Sequence, residues 1–551
     1  MKRIILVILV LLVFGCTCIS QTRTVGVFIN DTINAYHGYT LLAPKHDTVT
    51  YLINNDGRIV HQWKASHYAP GQAVYLLQNG NLLRPCEITG PMSTGGGEGG
   101  RIEEYTWNDS LIWSINYSTS AYMQHHDVKM LPNGNIIMLV VEKKTLADII
   151  AAGFDTSDFQ AGVISSGYML PDCIIEIQPT LPSGGNVVWQ WHVWDHLIQH
   201  FDATKANYGV VSAHPELICD SGDRRKLPQF WNHMNSIDYD STFDQIAVSV
   251  RGNSEVWIID HSTTTTQAAG HSGGVRGKGG DLLYRWGNPM AYDRGTISDQ
   301  KYFEQHDVEW IKAGSPGAGH LLCFNNGVGR SYSTIDEIIP AVDMSGNYVV
   351  PTSSAFGPTS LTWTYTASPP SSLYAQDISG TQRLPNGNTL IDNGPLGIFT
   401  EVTAAGTIVW KYINPCTDTG PLTQGDTIPA NPVFAGETMN SVFRVYRYAP
   451  NYPAFNGKTL TPGNFVEIYP AAVNEVFQQN TIRNYPNPFT GKIYVDNVSS
   501  DAHFLLLNMT GQLLWSGDQI EQYDFSSINA GLYLLKIVTQ NSNQTIKIMK
   551  Q

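Results

Sequence analysis

A strand that closes on tryptophan or tyrosine recurs six times along this chain, and that repetition constrains the fold more than any other feature. The copies are Ile59-Val60-His61-Gln62-Trp63, Leu111-Ile112-Trp113, Val187-Val188-Trp189-Gln190-Trp191, Leu282-Leu283-Tyr284-Arg285-Trp286, Leu361-Thr362-Trp363 and Ile408-Val409-Trp410-Lys411-Tyr412. A second signature, Asn79-Gly80, Asn133-Gly134 and Asn386-Gly387, marks tight hairpins, because Asn-Gly tolerates positive φ at both central residues of a type I′ turn. Spacings between the aromatic strands run from under fifty to about ninety-five residues. The short ones match a four-stranded propeller blade of roughly 40–50 residues, and the long ones imply insertions. The expected fold is all-β: a six-bladed β-propeller whose innermost strands line a channel. A sandwich or solenoid is the alternative, disfavoured by the wide, irregular insertions and the polar strand starts.

Composition agrees with an all-β chain, with 13 Trp, 27 Tyr, 19 Phe, 50 Gly and 29 Pro in 551 residues. The net charge of −14, with no basic stripe, argues against a nucleic-acid partner. Residues 1–20 read as a signal peptide: Met1-Lys2-Arg3 precedes an apolar run, Ile4 to Phe14, too short to span a bilayer. Cleavage after Ser20 is favoured over a lipoprotein site at Cys16. Residues 21–470 form the propeller, with an insert or lid at about 144–227, and residues 471–551 a small C-terminal β-sandwich. In the insert, residues 146–152 read as a short helix and 192–201 as another. Cys86, Cys173, Cys219, Cys323 and Cys416 make no disulfide framework, although a Cys173–Cys219 bridge is compatible with the sequence.

Three polar clusters open strand-like runs: Gln124-His125-His126-Asp127-Val128, Asn232-His233-Met234-Asn235-Ser236 and Gln305-His306-Asp307-Val308. Histidines at equivalent points of successive repeats converge on the repeat axis. In a regular strand His233 and Asn235 share a face. A hairpin symmetric about Thr242 pairs residues summing to 484, which sets His233 opposite Arg251. His, Asn and Arg together make a donor-rich pocket for a tetrahedral oxyanion. Imidazole also attacks electrophiles and leaves again, so His306 is a candidate nucleophile, with His126 and His233 as acid/base or anion-binding partners. His125 is expected to turn away from the axis, and Asp127 and Asp307 to orient neighbouring groups. His192, His196 and His200, at i, i+4 and i+8, lie in line and cannot easily surround one ion, so no metal is expected. That helix instead caps the channel, with Trp194, Asp195 and His196 available to touch a ligand. The run from Gly95 to Gly100 reads as a flexible loop, and no nucleotide cofactor motif is present.

Across roughly residues 25–470 these features resemble the bacterial arylsulfotransferase family, which uses no nucleotide sulfate donor. The resemblance rests on His233 and Asn235, on Arg251 eighteen residues after His233, on the His-Asp steps at 126–127 and 306–307, and on the aromatic-ended repeats. It implies a six-bladed propeller and ping-pong transfer of a sulfuryl group from an aryl sulfate to a phenol, with no cofactor. It implies His306 as nucleophile, His126 as acid/base or sulfate ligand, and His233, Asn235 and Arg251 as holders of the sulfate oxygens. A non-catalytic propeller that binds a sulfated or phenolic ligand, or a surface partner, is the alternative. Association as a homodimer is compatible with either. The C-terminal module, with Tyr485-Pro486-Asn487-Pro488-Phe489, Ala530-Gly531-Leu532-Tyr533 and a Lys-rich end, is similar to type IX secretion sorting domains. That similarity implies recognition by the type IX machinery and export across the outer membrane.

Overall fold

The computed structural model describes residues 23–219, 227–344, 347–469, 483–496, 498–539 and 543–551. The segment read as a signal peptide lies outside them. The chain divides into two compact units, residues 1–470 and 471–551.

The first unit contains six antiparallel sheets of at least four strands, each defined here from its first strand to its fourth. Sheet 1 runs Tyr446–Tyr448, Tyr39–Leu42, Thr50–Asn54, Ile59–Trp63, and sheet 2 runs Tyr75–Leu76, Leu82–Glu87, Gly100–Tyr105, Leu111–Asn116. Sheet 3 is Tyr122–Met130, Ile136–Glu142, Asp172–Pro179, Gly185–His192, and sheet 4 is Met234–Asp240, Gln245–Val250, Glu255–Asp260, Tyr284–Trp286. Sheet 5 is His306–Trp310, Leu321–Asn325, Thr334–Ile338, Trp363–Thr366. Sheet 6 is Gly380–Arg383, Thr389–Asn393, Ile398–Val402, Ile408–Ile413, with Gly26–Asn30 added outside as a fifth strand. Sheets 1 and 6 thus each take a strand from the far end of the unit. Apolar cores fill the space between consecutive sheets, including Leu42 and Ile53 of sheet 1 packed with Phe399 and Trp410 of sheet 6.

The six aromatic-ended runs all fall in fourth strands, and the pattern has a physical reason. Each sheet's tryptophan donates its indole N–H to the turn between the third and fourth strands of the next sheet. The bonds are Trp63 to Thr106 O (3.0 Å), Trp113 to Gly184 O (2.8 Å), Trp191 to Gly280 O (2.7 Å), Trp286 to Pro358 O (2.8 Å), Trp363 to Ala404 O (3.3 Å) and Trp410 to Asn55 O (2.8 Å). The last returns from sheet 6 to sheet 1. Trp410 is fully buried. Trp410→Phe keeps the packing and loses the bond and some volume, which should lower unfolding free energy by about 2 kcal/mol, read as a fall in the urea midpoint.

First strands are joined to their neighbours by a second set of bonds. Leu76 N donates to the Tyr448 hydroxyl (2.9 Å), Tyr75 Oη to Asp127 (2.6 Å) and Ile237 N to Asp127 (3.1 Å). Val308 N donates to Ser236 Oγ (2.9 Å), Thr381 N to Asp307 (2.8 Å) and Arg447 N to Gln382 Oε1 (2.7 Å). Asp127 and Asp307 therefore orient neighbouring groups, as the sequence suggests.

Three expectations need correction. The stretch 144–227 is not wholly an insert, since it contains the third and fourth strands of sheet 3. Leu146–Ala151 is a helix, capped by Thr145, but residues 192–201 are not: a strand ends at His192, a single 3-10 turn spans Val193–His196, and Leu197–Ile198 is extended. Cys173 and Cys219 are not bridged to each other.

The second unit has a two-stranded sheet, Arg483–Tyr485 with Tyr494–Asp496, and a four-stranded sheet ordered Leu513–Gly517, His503–Asn508, Gly531–Val538, Asn543–Lys550. Phe489, Val495, Leu506, Leu535 and Ile537 share its core.

Candidate active site

The first strands of sheets 3, 4 and 5 are each irregular at their polar step. Register shifts occur opposite Leu139, at Asn235 and across Asp307 and Val308. A bulge re-aims side chains and breaks simple alternation. His126 (φ +50°), His233 (φ +52°) and Asp307 (φ +56°) accordingly adopt the left-handed region, which is costly for residues with a Cβ and concentrates at functional sites. The bulge at Asn235 also settles the hairpin register. Ser236 to Asp240 pair on a sum of 485, and beyond the bulge Met234 pairs with Val250 on 484. Arg251 N then reaches His233 O at 3.2 Å, so the two residues are neighbours as expected.

His126 and His233 lie with ring centroids 5.0 Å apart, and Phe230 stacks on His233 at 4.2 Å. Asn235 is fully buried and donates Nδ2 to Gln305 O (2.8 Å), the residue before His306. Arg251 pairs with Glu304. The structure thus brings His126, His233, Asn235, Arg251 and His306 into one neighbourhood. It does not bring His196 there. That ring sits 2.9 Å from Asp281 and 2.8 Å from Ala268 O, stacked on Trp191. Its predicted position rested on a helix that does not form.

Three of the histidines have assignable proton positions. Asn326 donates Nδ2 to Ala375 O (2.9 Å) and Ile378 O (3.1 Å), which turns its Oδ1 toward His306 Nδ1 at 2.9 Å. An amide oxygen only accepts, so His306 carries its proton on Nδ1 and presents a bare Nε2. His125, expected to face away, is fully buried against His126, with Nδ1 to Nδ1 2.7 Å. Its Nε2 lies 2.8 Å from the buried Asp172 carboxylate. With the His125 proton on Nε2, the nitrogen beside the Asp172 carboxylate, His125 Nδ1 accepts the His126 Nδ1–H and His126 Nε2 is left bare. Gly97 of the glycine-rich loop packs on that ring: a Cβ there would fall 1.8 Å from His126 Cε1.

Below the histidines, Arg444 fills the space between first strands. Its Nη1 is 2.7 Å from Asp127, its Nε is 2.9 Å from Asp307, and Nη2 donates to Asn235 O at 3.2 Å. Burial opposes its charge, but Asp307, Tyr446 and Asp127 hold its pKa well above the usual value. Sequence reading missed Arg444, Asn326, Phe230 and the role of His125. A cavity of about 760 Å³ lies further along the same strands, lined by Lys129, Glu309, Lys312, Tyr446 and Arg447. Lys129 and Lys312 are both paired there with Asp238, and no histidine lines it.

Burial, then Arg251, pushes His306 down to about 3. Burial and the neighbouring histidines push His126 well below the ordinary value, and burial with Arg251 does the same to His233. All three are free bases at neutral pH. Unfolded histidine binds its proton near 6.5, whereas folded His306 does so only near 3, so the unfolded state gains protons first and stability falls as pH drops through that window. Lowering pH from 7.5 to 5 should remove about 2 kcal/mol through His306 alone. The comparison of urea midpoints at the two pH values in the parent and in His306→Asn measures it, the variant showing the smaller loss.

A family model described as arylsulfotransferase (ASST) matches residues 40–420. The chain belongs to the arylsulfotransferase (ASST) family. A second model, the secretion system C-terminal sorting domain, matches residues 483–551. For this arylsulfotransferase-family chain, membership supports aryl sulfotransferase activity in general, and the sorting domain indicates export by type IX secretion, to the cell surface or beyond. No helix among the described residues is long and apolar enough to cross a membrane. No curated protein matches the chain. Among solved structures it is similar to a Bacteroides caccae protein of unknown function at 11% identity, covering 68% of this chain and 93% of that one with a TM-score of 0.37. It is also similar to a Staphylococcus aureus virginiamycin B lyase, at 9% identity, 71% and 88% coverage and a TM-score of 0.32.

Proposed function

We propose that this chain is an exported aryl-sulfate sulfotransferase that works by ping-pong transfer through a sulfated His306, on a closed six-bladed propeller. The closed propeller is supported by the tryptophan bonds and first-strand bonds, both of which pass from sheet to sheet and return to sheet 1. The single observation that carries the mechanism is the bare Nε2 of His306, fixed by Asn326 and held unprotonated by its surroundings.

In the first half-reaction the anionic donor draws a solvent proton onto His126 Nε2, His306 Nε2 attacks sulfur of the aryl sulfate, an N–S bond forms, the S–O bond breaks, and the departing phenolate takes that proton from His126 Nε2. In the second, an acceptor phenol attacks sulfur, His306 leaves, and the acceptor's proton passes to His126. Atoms and protons balance over the cycle. Arg251, His233 and the remaining Nδ2–H of Asn235 face the sulfate oxygens, the guanidinium supplying the charge. Donor binding brings the negative charge that favours protonated His126, and Asp172 through His125 stabilises that imidazolium. Phe230 and Phe443 supply apolar faces beside His126 for an aryl ring.

The test is release of a chromogenic phenol from its sulfate ester with stoichiometric sulfation of an added phenol. Saturable binding without release would assign the site to ligand binding instead. Asn326→Ala frees the His306 ring and its tautomer, and should lower the transfer rate by about 10²-fold with little change in fold, measured as kcat against circular dichroism.

A further inference from the structure

The segment that follows sheet 3 meets the long connection between the third and fourth strands of sheet 4 at a cluster of His196, His271 and Asp281, whose ligand-type atoms all lie within 4.8 Å of one another. His196 Nε2 is 2.8 Å from Ala268 O. A carbonyl only accepts, so Nε2 carries the proton and, in a neutral ring, Nδ1 is bare. That bare Nδ1 points at Asp281 Oδ1 from 2.9 Å, and His271 Nδ1 approaches the same oxygen at 2.7 Å. Two lone pairs facing across such a distance repel unless a positive charge intervenes. A protonated ring paired with the Asp281 carboxylate is one solution. A cation held by both neutral rings and the carboxylate is the other.

From this lone-pair geometry we infer that His196, His271 and Asp281 form a site for a divalent transition metal of the Zn²⁺ class. Two imidazoles and one carboxylate are the donor set such ions prefer, and Ca²⁺ or Mg²⁺ would select oxygens alone. The outer arrangement agrees. A ligating histidine characteristically gives its other N–H to a backbone carbonyl, as His196 does to Ala268, and Trp191 stacked on the ring at 5.4 Å fixes its plane. Gly280 lies against His196, where a Cβ would come 2.6 Å from Nε2. His271 also lines a cavity of about 400 Å³ with His214, Trp194 and Tyr208, which leaves an open side for entry and for a water as fourth ligand. The ion would clip the segment carrying His196 to the connection carrying His271 and Asp281. Neither this site nor its role depends on the transferase reading.

The experiment uses the untagged full chain, stripped with chelator and titrated with Zn²⁺ by calorimetry, with thermal melting at matched pH and the visible spectrum of the Co²⁺ form. One equivalent should bind, raise the melting temperature by several degrees and give the bands of a four- or five-coordinate Co²⁺ ion. His271→Ala, at a residue whose side chain is 62% exposed, should weaken binding by at least 100-fold and leave the melting temperature of the stripped protein unchanged. Asp281→Asn should weaken it similarly, whereas His503→Ala should not. Absence of binding at a hundredfold excess of Zn²⁺, or undiminished binding by His271→Ala, overturns the site. Stabilisation that tracks acid pH with no metal effect would assign the contact to an imidazolium–carboxylate pair, and equally overturns it.

Discussion

His306→Ala should reduce aryl-sulfate turnover by at least about 10³-fold while leaving the protein folded, because the first covalent step then lacks its nucleophile. The residue is buried at the start of the first strand of sheet 5, with its Nδ1 held by Asn326. His126 Nε2 is bare in the assignment above, but its ring is backed by His125 and overlaid by Gly97, a setting for proton exchange rather than attack. Mass spectrometry of the His306 peptide after brief exposure to an aryl sulfate, kept out of acid, should find an added sulfuryl group. Turnover near the parent rate in His306→Ala would sink the assignment.

Arg444→Met should be the most destabilising single change in the first unit, by about 3–5 kcal/mol at neutral pH, since it strips the shared cation from two buried carboxylates. Asp127 comes from sheet 3 and Asp307 from sheet 5, and each also accepts a backbone N–H from a following sheet. Burial already pushes Asp307 toward its protonated form, and loss of the guanidinium pushes it further. A carboxyl with a raised folded pKa destabilises as pH rises through the unfolded value, so the gap between variant and parent should narrow in acid. Arg444→Met combined with Asp307→Asn should recover part of the loss. Urea midpoints of the parent, Arg444→Met, Asp307→Asn and the double variant at pH 5 and 7.5 test this, and equal losses at both pH values would contradict it.

The aromatic strands were legible because each tryptophan performs the same task in its sheet, reaching the next turn with its indole N–H, so the residue recurs wherever the task does. The histidine clusters were legible for a related reason: they open first strands. His125 was not, because aligning Gln124-His125-His126-Asp127-Val128 with Gln305-His306-Asp307-Val308 pairs His126 with His306 and leaves His125 as the extra residue, whereas the bulge opposite Leu139 keeps its ring against that of His126. His196 misled through helical spacing in a stretch that forms one 3-10 turn between extended segments. Arg444 had no local signature. It lies 317 residues from Asp127 in sequence, and only the segment leading into the first strand of sheet 1 carries it to Asp127 of sheet 3 and Asp307 of sheet 5.

That closing strand has a bearing on biogenesis. The first strand of sheet 1, Tyr446–Tyr448, is made about four hundred residues after the strand it pairs with, Tyr39–Leu42. At ribosomal speeds of roughly 5–20 residues per second the early strand waits on the order of 20–80 s with an unpaired edge. During that interval the candidate site lacks two of its neighbours, because Arg444 and Phe443 arrive only with the closing segment. The candidate site is therefore incomplete until that segment has been made, and a chain truncated before residue 443 should be inactive however much of its sheet structure has formed.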